Sequence, residues 1–314
     1  MKEILKAWDH FWFKRIDPVS FAIARIYLGA LISLYYLCLY ENWARFYGFY
    51  GTVSYSDGPQ NRLLSLGWTI FEWTPDRISM QILWWICFLS ALCFTAGLKT
   101  RLFNFILYFM ISSQIHRNTM ACNGEDLLFR MLLFWGIFAP WGNDLSVDSR
   151  LRKRKNPPPA TSFPMIWAVR GMQINFVLIY AITLPLKFQQ DAAWWTGDAV
   201  YLAIVSDQWS RWPWPEMFYA ANGILSRLMT YATALLEGAF TLFIWLPVAR
   251  LQMALVIALA TLHIGISVML KGCNFFSLSM LAGLWLFVPP PYGRWLVDNL
   301  HRDIRVIGKT KRQP

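Results

Sequence analysis

Residues 251–270, LQMALVIALATLHIGISVML, contain no Asp, Glu, Lys or Arg. About twenty residues wound as an α-helix reach about 30 Å, the thickness of a bilayer's hydrocarbon core. Hydrocarbon offers no partner to backbone N–H and C=O groups, so a segment of this kind is expected to be a helix. Seven more segments read the same way, at 19–40, 78–98, 102–117, 126–141, 166–186, 228–248 and 275–290. Those at 102–117, 126–141 and 275–290 are short for a full crossing. Composition agrees: the chain is 56% hydrophobic and only 15% charged, against about 25% charged in soluble domains. The expectation is an all-α polytopic membrane protein, a single domain over 1–314 with about eight transmembrane helices in one bundle.

The net charge of +11 raises nucleic acid as a partner. Membrane orientation explains it better, because basic residues collect in cytoplasmic loops. With both termini in the cytoplasm, the inner segments hold Lys2, Lys6, Lys14 and Arg15, the run LRKRK at 151–155, and the tail cations from Arg294 to Arg312. The outer turns are poorer in Lys and Arg. The expected location is therefore the cytoplasmic (inner) membrane, with membrane lipids as partners and no nucleic acid. The start, MKEILKAWDHFWFKRIDP, reads as charged and amphipathic, without a small-residue cleavage site. The basic tail, 291–314, reads as an amphipathic helix on the inner leaflet, and NPPP at 156–159 as part of a cytoplasmic linker.

This orientation gathers the polar residues at the outer ends of the spans. The turn QIHRNTMACNGED, 114–126, carries His116, Asn118, Asn123, Glu125 and Asp126. Asp126 reads first as a helix cap, while Glu125 and Asp126 together could instead hold a cation or a substrate amine. In the span 166–186 and just beyond it, Gln173, Tyr180 and Lys187 recur every seven residues, nearly two helical turns, and so share a face. Pro185 removes a backbone donor two residues before Lys187. Charge near the membrane interior is costly, so Lys187 is either an interfacial anchor or a base whose amine is kept neutral by desolvation. Thr230, Thr233, Glu237 and Thr241 make a second stripe, with Glu237 expected to pair with Arg130 or Arg170. Asn104, Tyr108, Ser112 and His116 make a third. His263 reads as a hydrogen-bonded interior residue. Four histidines in all give no metal-site pattern, so no metal ligand is expected.

Cys122 and Cys273 fall in outer turns, where an oxidising compartment permits a disulfide; spacing leaves open whether they pair. No CxxC, phosphate loop, dinucleotide fingerprint or hydrolase elbow occurs.

The ordered pieces DPVSFAIARIYLGALI (17–32), AGLKTRLFN (96–104), HRNTMACNGEDLLFRMLLFWGIFAPWG (116–142), QINFVLIYAITLPLKFQQDAAWWTGDAV (173–200), LLEGAF (235–240), LHIGI (262–266) and FFSLSML (275–281) cover most of 17–290. In order and spacing they resemble the horizontally transferred transmembrane (HTTM) domain, the membrane part of vitamin K-dependent gamma-glutamyl carboxylases. The resemblance implies a quinone such as vitamin K hydroquinone as cofactor. It also implies that Lys187, with Tyr180 seven residues upstream, stands where the carboxylases keep the base that deprotonates it. Glu125 lies nearest the position of a functional histidine in those enzymes. Lys187, Glu125 and His263 are thus the expected catalytic residues. Tyr180, Gln173, Asn123, His116, Asn118 and Asp126 are the expected substrate contacts. Small bacterial members of the family, among them a maturation protein for a sporulation-delaying toxin, imply an alternative. That is a non-enzymatic factor for peptide maturation or export, with a peptide or protein partner on the extracytoplasmic side.

Overall fold

The computed structural model describes residues 1–49, 51–52, 69–74, 76–155, 164, 166–212 and 223–310. The helices in chain order are α1 (Lys2–Phe13), α2 (Val19–Leu39), α3 (Trp43–Tyr47), α4 (Arg77–Ala96), α5 (Thr100–Arg117), α6 (Gly124–Gly136) and α7 (Val147–Lys155). They continue with α8 (Trp167–Gln190), α9 (Ala193–Thr196), α10 (Ala199–Val205), α11 (Ile224–Phe243), α12 (Ala249–Met269), α13 (Asn274–Leu284) and α14 (Pro290–Thr310). Among the described residues the only sheet-like pairing between elements is an isolated antiparallel bridge, Ser210 with Leu270. The protein is all-α.

Helices stand at all eight positions expected from the apolar segments, but the segments are not equivalent. Four are long and apolar enough to cross a membrane: Val19–Tyr47, Arg77–Ala96, Trp167–Gln190 and Ala249–Met269. A fifth would arise if Asn274–Phe287 and Pro290–Leu300, bent by 108° from one another, form one broken span. The remaining helices fall short for physical reasons. α6 has 13 residues and α13 has 11, which reach about 20 Å or less. α5 carries Asn104, Ser112, Ser113, Gln114 and His116 among its 18 residues. α11 carries Arg227, Glu237 and three threonines.

Local signals set the helix ends. Asp76 caps α4 by accepting from the Ser79 N–H at 2.8 Å. At the other end Gly97 takes φ +70°. Its N–H reaches Phe94 O, and the Leu98 N–H reaches Cys93 O, both at 3.0 Å, a Schellman close. Glycine is required here twice over, since a Cβ would also collide with the Arg25 guanidinium and the Ser146 side chain. Asn123 and Asp126 form a reciprocal capping box at the start of α6.

α2 is the central helix, packed against α4, α13 and α14. The Val19–Tyr47 segment is 56% buried over its most apolar stretch, whereas that of α12 is 17% buried and lies at the periphery. Indole N–H groups tie α2 and α3 to α4: Trp43 donates to Met80 O and Trp84 to Tyr36 O, at 2.8 and 2.9 Å. Arg25, fully buried in α2, donates to Trp141 O and Leu145 O at 3.0 and 2.6 Å. It therefore binds the α6–α7 connection instead of reaching for water.

Both ends of the chain meet the same end of the bundle. Arg294 of α14 forks onto the Asp17 carboxylate at 2.7 Å per bond and also reaches Asp144 at 2.7 Å. Arg170, at the start of α8, donates to Phe11 O of α1 at 3.2 Å. The charged run expected as linker is helical as far as Lys155, in α7; NPPP at 156–159 lies outside the described residues. The amphipathic helices expected at the two ends are present as α1 and α14.

Candidate functional site

α8 places Tyr180 and Lys187 on the face turned toward α11 and α12, as their seven-residue spacing predicts. The Lys187 Nζ donates to both carboxylate oxygens of Glu237, at 2.6 and 2.7 Å. The Lys187 side chain is 26% exposed and that of Glu237 only 7%, so the anion is the more deeply held partner. Trp194, from α9, presents its ring 4.7 Å from the same ammonium, a cation–π contact. Glu237 therefore pairs with Lys187, and not with Arg130 or Arg170 as the sequence suggested. Arg170 is committed elsewhere, to Gln173 Oε1 at 2.8 Å and to Phe11, whose ring it covers at 4.6 Å.

Nearly two turns closer to the middle of α8, the Tyr180 hydroxyl lies 2.7 Å from His263 Nε2 on α12. Both residues are buried. Phe176 and Phe240 pack against the Tyr180 ring at 5.7 and 5.6 Å between centroids. The other imidazole nitrogen, His263 Nδ1, is buried and makes no hydrogen bond among the described residues. The hydroxyls of the α11 stripe do not join this group. Thr233 and Thr241 bond the carbonyls of Met229 and Glu237 one turn back, and Thr230 bonds Ser226 O while accepting from the Val200 N–H.

The turn 114–126 forms a second, separate polar group. Asp126 accepts from the Tyr35 hydroxyl at 2.8 Å and from the Asn123 N–H at 2.9 Å. Asn118 caps the turn after α5, accepting from the N–H groups of Met120 and Ala121, and donates to Phe46 O. These three residues thus hold the backbone in place. Glu125 is buried on the first turn of α6, and His116 lies in the last turn of α5. Phe276 stands between the two groups. Its ring is 6.2 Å from that of His263, and a Cβ on Gly124 would meet it at 2.7 Å.

Gln173 shares the helical face but not the site. It donates to Leu286 O at 2.7 Å, and lies about 21 Å along the axis from Lys187. The pairing left open for Cys122 and Cys273 is absent: both are free thiols. The Cys122 Sγ is turned to Asn123 O at 3.7 Å, and Cys273 sits at the N-cap of α13. No group of three or more His, Cys, Asp or Glu among the described residues is placed to hold a metal.

Two hollows flank the Lys187 end. An apolar groove of about 350 Å³ runs between α10, α11 and α12. Its lining includes Leu236 and Leu262, the chain neighbours of Glu237 and His263, and its polar side chains are Thr233 and Thr261. A polar pocket of about 530 Å³ is lined by Asp191, Thr196, Asp198, Tyr201, Ser226 and Arg227, among others. Trp194 and the polar pocket were not expected from the sequence; the signal was the stretch QQDAAWWTGD, 189–198, which begins two residues after Lys187. No family sequence profile, curated protein or solved structure matches this chain.

Proposed function

We propose that the chain is an HTTM-type membrane protein whose Lys187–Glu237 pair takes a proton from a weakly acidic, lipid-soluble substrate of the quinol class. In this reading α5, α6, α11 and α13 complete an eight-helix bundle, both termini are cytoplasmic, and Lys187 faces the outer leaflet. The observation that carries it is the ion pair itself. A lysine serving only as a lipid anchor would turn its ammonium to the headgroups; Lys187 instead gives two charge-assisted bonds to a buried carboxylate.

The chemistry follows from the pair. With its ammonium bound to both oxygens, Lys187 is not itself a free base. Glu237 accepts the proton from a hydroxyl presented at the pair. Lys187, released from its counter-charge, then stabilises the anion that remains, and net charge at the site is unchanged throughout. Tyr180 and His263 lie on the same face, and the uncommitted Nδ1 offers one further donor or acceptor. The apolar groove is lined by Leu236 and Leu262, which neighbour Glu237 and His263 in the chain, but by neither of those two residues. Its walls suit the prenyl tail of a quinol. A quinol bound there would supply the acidic hydroxyl and, with oxygen, the oxidative chemistry. Oxygen-dependent epoxide formation from vitamin K hydroquinone by the purified protein, compared with Lys187→Ala, tests the proposal. Equal rates in the two would defeat it.

The polar pocket favours a second reading, a non-enzymatic factor that receives a peptide at the outer face. Its mixture of Asp191, Asp198 and Arg227 suits a peptide's charged groups. A photo-crosslinker placed at Tyr201 that traps an exported peptide, with no quinol turnover, would be its signature.

A further inference from the structure

At the end of the bundle opposite Lys187, a cavity of about 640 Å³ lies between α1, the start of α8, the α11–α12 turn and the segment 286–290. Its charged lining is one-signed: Arg170 and Lys14 contribute, with His10, and no Asp or Glu takes part. Much of its wall is apolar and aromatic, with Phe11, Phe21, Trp245 and Phe287.

Arg170 is held ready. Its Nε donates to Phe11 O, one terminal nitrogen donates to Gln173 Oε1, and Phe11 covers its plane. The other terminal nitrogen makes no hydrogen bond among the described residues. The Lys14 ammonium has no acidic partner among them either, while the Lys14 carbonyl accepts from the Ile166 N–H at 3.1 Å, which fixes the chain there.

α1 forms one wall, and it has the character of an interfacial helix. Ile4, Leu5 and Trp8 lie on one helical face and are exposed, with Lys2, Lys6 and Asp9 around them. Such a helix lies along a membrane surface with its apolar face in the acyl boundary. The cavity beneath it therefore opens at the depth of lipid headgroups. Basic pockets at this depth select anionic headgroups.

We infer that this cavity binds an anionic glycerophospholipid, its phosphate held by Arg170 and Lys14 and its glycerol and upper acyl region packed against Phe11, Trp245 and Phe287. The proposal is independent of the quinol reading, because it concerns the opposite end of α8.

The test measures lipid binding to the purified protein in neutral detergent by native mass spectrometry. The probes are phosphatidylglycerol, phosphatidylcholine and inorganic phosphate. Phosphatidylglycerol is expected to bind about tenfold more tightly than phosphatidylcholine. Both carry a phosphate, but the choline cation cancels its charge and meets a lining of Arg170, Lys14 and His10 with no carboxylate to receive it. Inorganic phosphate at equal concentration should not displace it, because it lacks the apolar contacts. Arg170→Gln should lose most of the preference. Lys14→Gln, which leaves the contacts between Arg170 and α1 intact, should weaken it severalfold, and Arg227→Gln at the far end should leave it unchanged. Equal affinity for the two lipids would overturn the inference. So would displacement by phosphate alone, or a preference that survives in both Arg170→Gln and Lys14→Gln.

Discussion

Lys187 and Glu237 close on one another across the α8–α11 interface with a single ammonium engaging both carboxylate oxygens. Glu237 is the more deeply held of the two, 7% exposed against 26% for Lys187. Removing one partner leaves the other uncompensated, which costs on the order of 3 kcal/mol at well-buried sites, whereas removing both can be nearly neutral. Lys187→Met and Glu237→Leu should therefore each lower the thermal midpoint clearly. The double variant should recover most of the loss. Melting of the four proteins in one detergent closes the cycle; additive losses would show that the two charges are not coupled.

The Tyr180 hydroxyl is the one partner His263 has for its ring nitrogens among the described residues. Tyr180→Phe keeps the packing against Phe176 and Phe240 but strands the imidazole. A loss of about 1–3 kcal/mol is expected for a buried polar group left unpaired. Thermal denaturation checks it, and a change within error would mean that the hydrogen bond contributes no net stability.

At the other end of the bundle, Asp148 caps α5 from a distance. Its carboxylate accepts from the N–H groups of Lys99 and Thr100 and from the Thr100 hydroxyl, at 2.7–2.8 Å. Burial pushes this carboxyl up, but the bonds from Thr100 and Lys99, with the charge of Arg25, outweigh that and hold it below its ordinary 3.8. A folded value below the unfolded one means stabilisation that is present above about pH 4 and lost as pH falls through the folded value. Asp148→Ala should cost about 1 kcal/mol at neutral pH, the usual worth of such a cap. It should also flatten the acid side of the stability profile. A wild-type profile already flat below pH 4 would contradict this assignment.

Much of this was legible in the sequence. Apolar length located α2 and α12 to within two residues at each end, because long uncharged segments leave few alternatives. Helical periodicity put Tyr180 and Lys187 on one face, and Asp126 read as a cap because its chemistry is local. The partner of Glu237 was not legible: periodicity says which way a side chain points, not which helix stands opposite. The sequence offered Arg130 and Arg170, and the packing of α8 on α11 set Lys187 opposite Glu237 instead. Gln173 was placed correctly on its face, yet it serves the far end, because a shared face runs the whole length of a helix. Phe276, which separates the turn 114–126 from His263, carried no sequence signal beyond being apolar.

The thiols give an independent check on the turns at 122 and 273. Cys122 and Cys273 are both unbridged, so all five cysteines should react with a maleimide after denaturation without reductant. Mass spectrometry counts the adducts. Three adducts before reduction and five after it would show that a disulfide forms.

The role of the ion pair is decided most directly by oxygen-dependent epoxidation of vitamin K hydroquinone, measured with purified wild type, Lys187→Ala and Glu237→Gln. If Glu237 is the proton acceptor and Lys187 stabilises the resulting anion, wild type turns over and each variant loses at least about a hundredfold, the usual worth of a positioned acid–base group. Turnover by Glu237→Gln at the wild-type rate, or none above background in the wild type, would contradict that role.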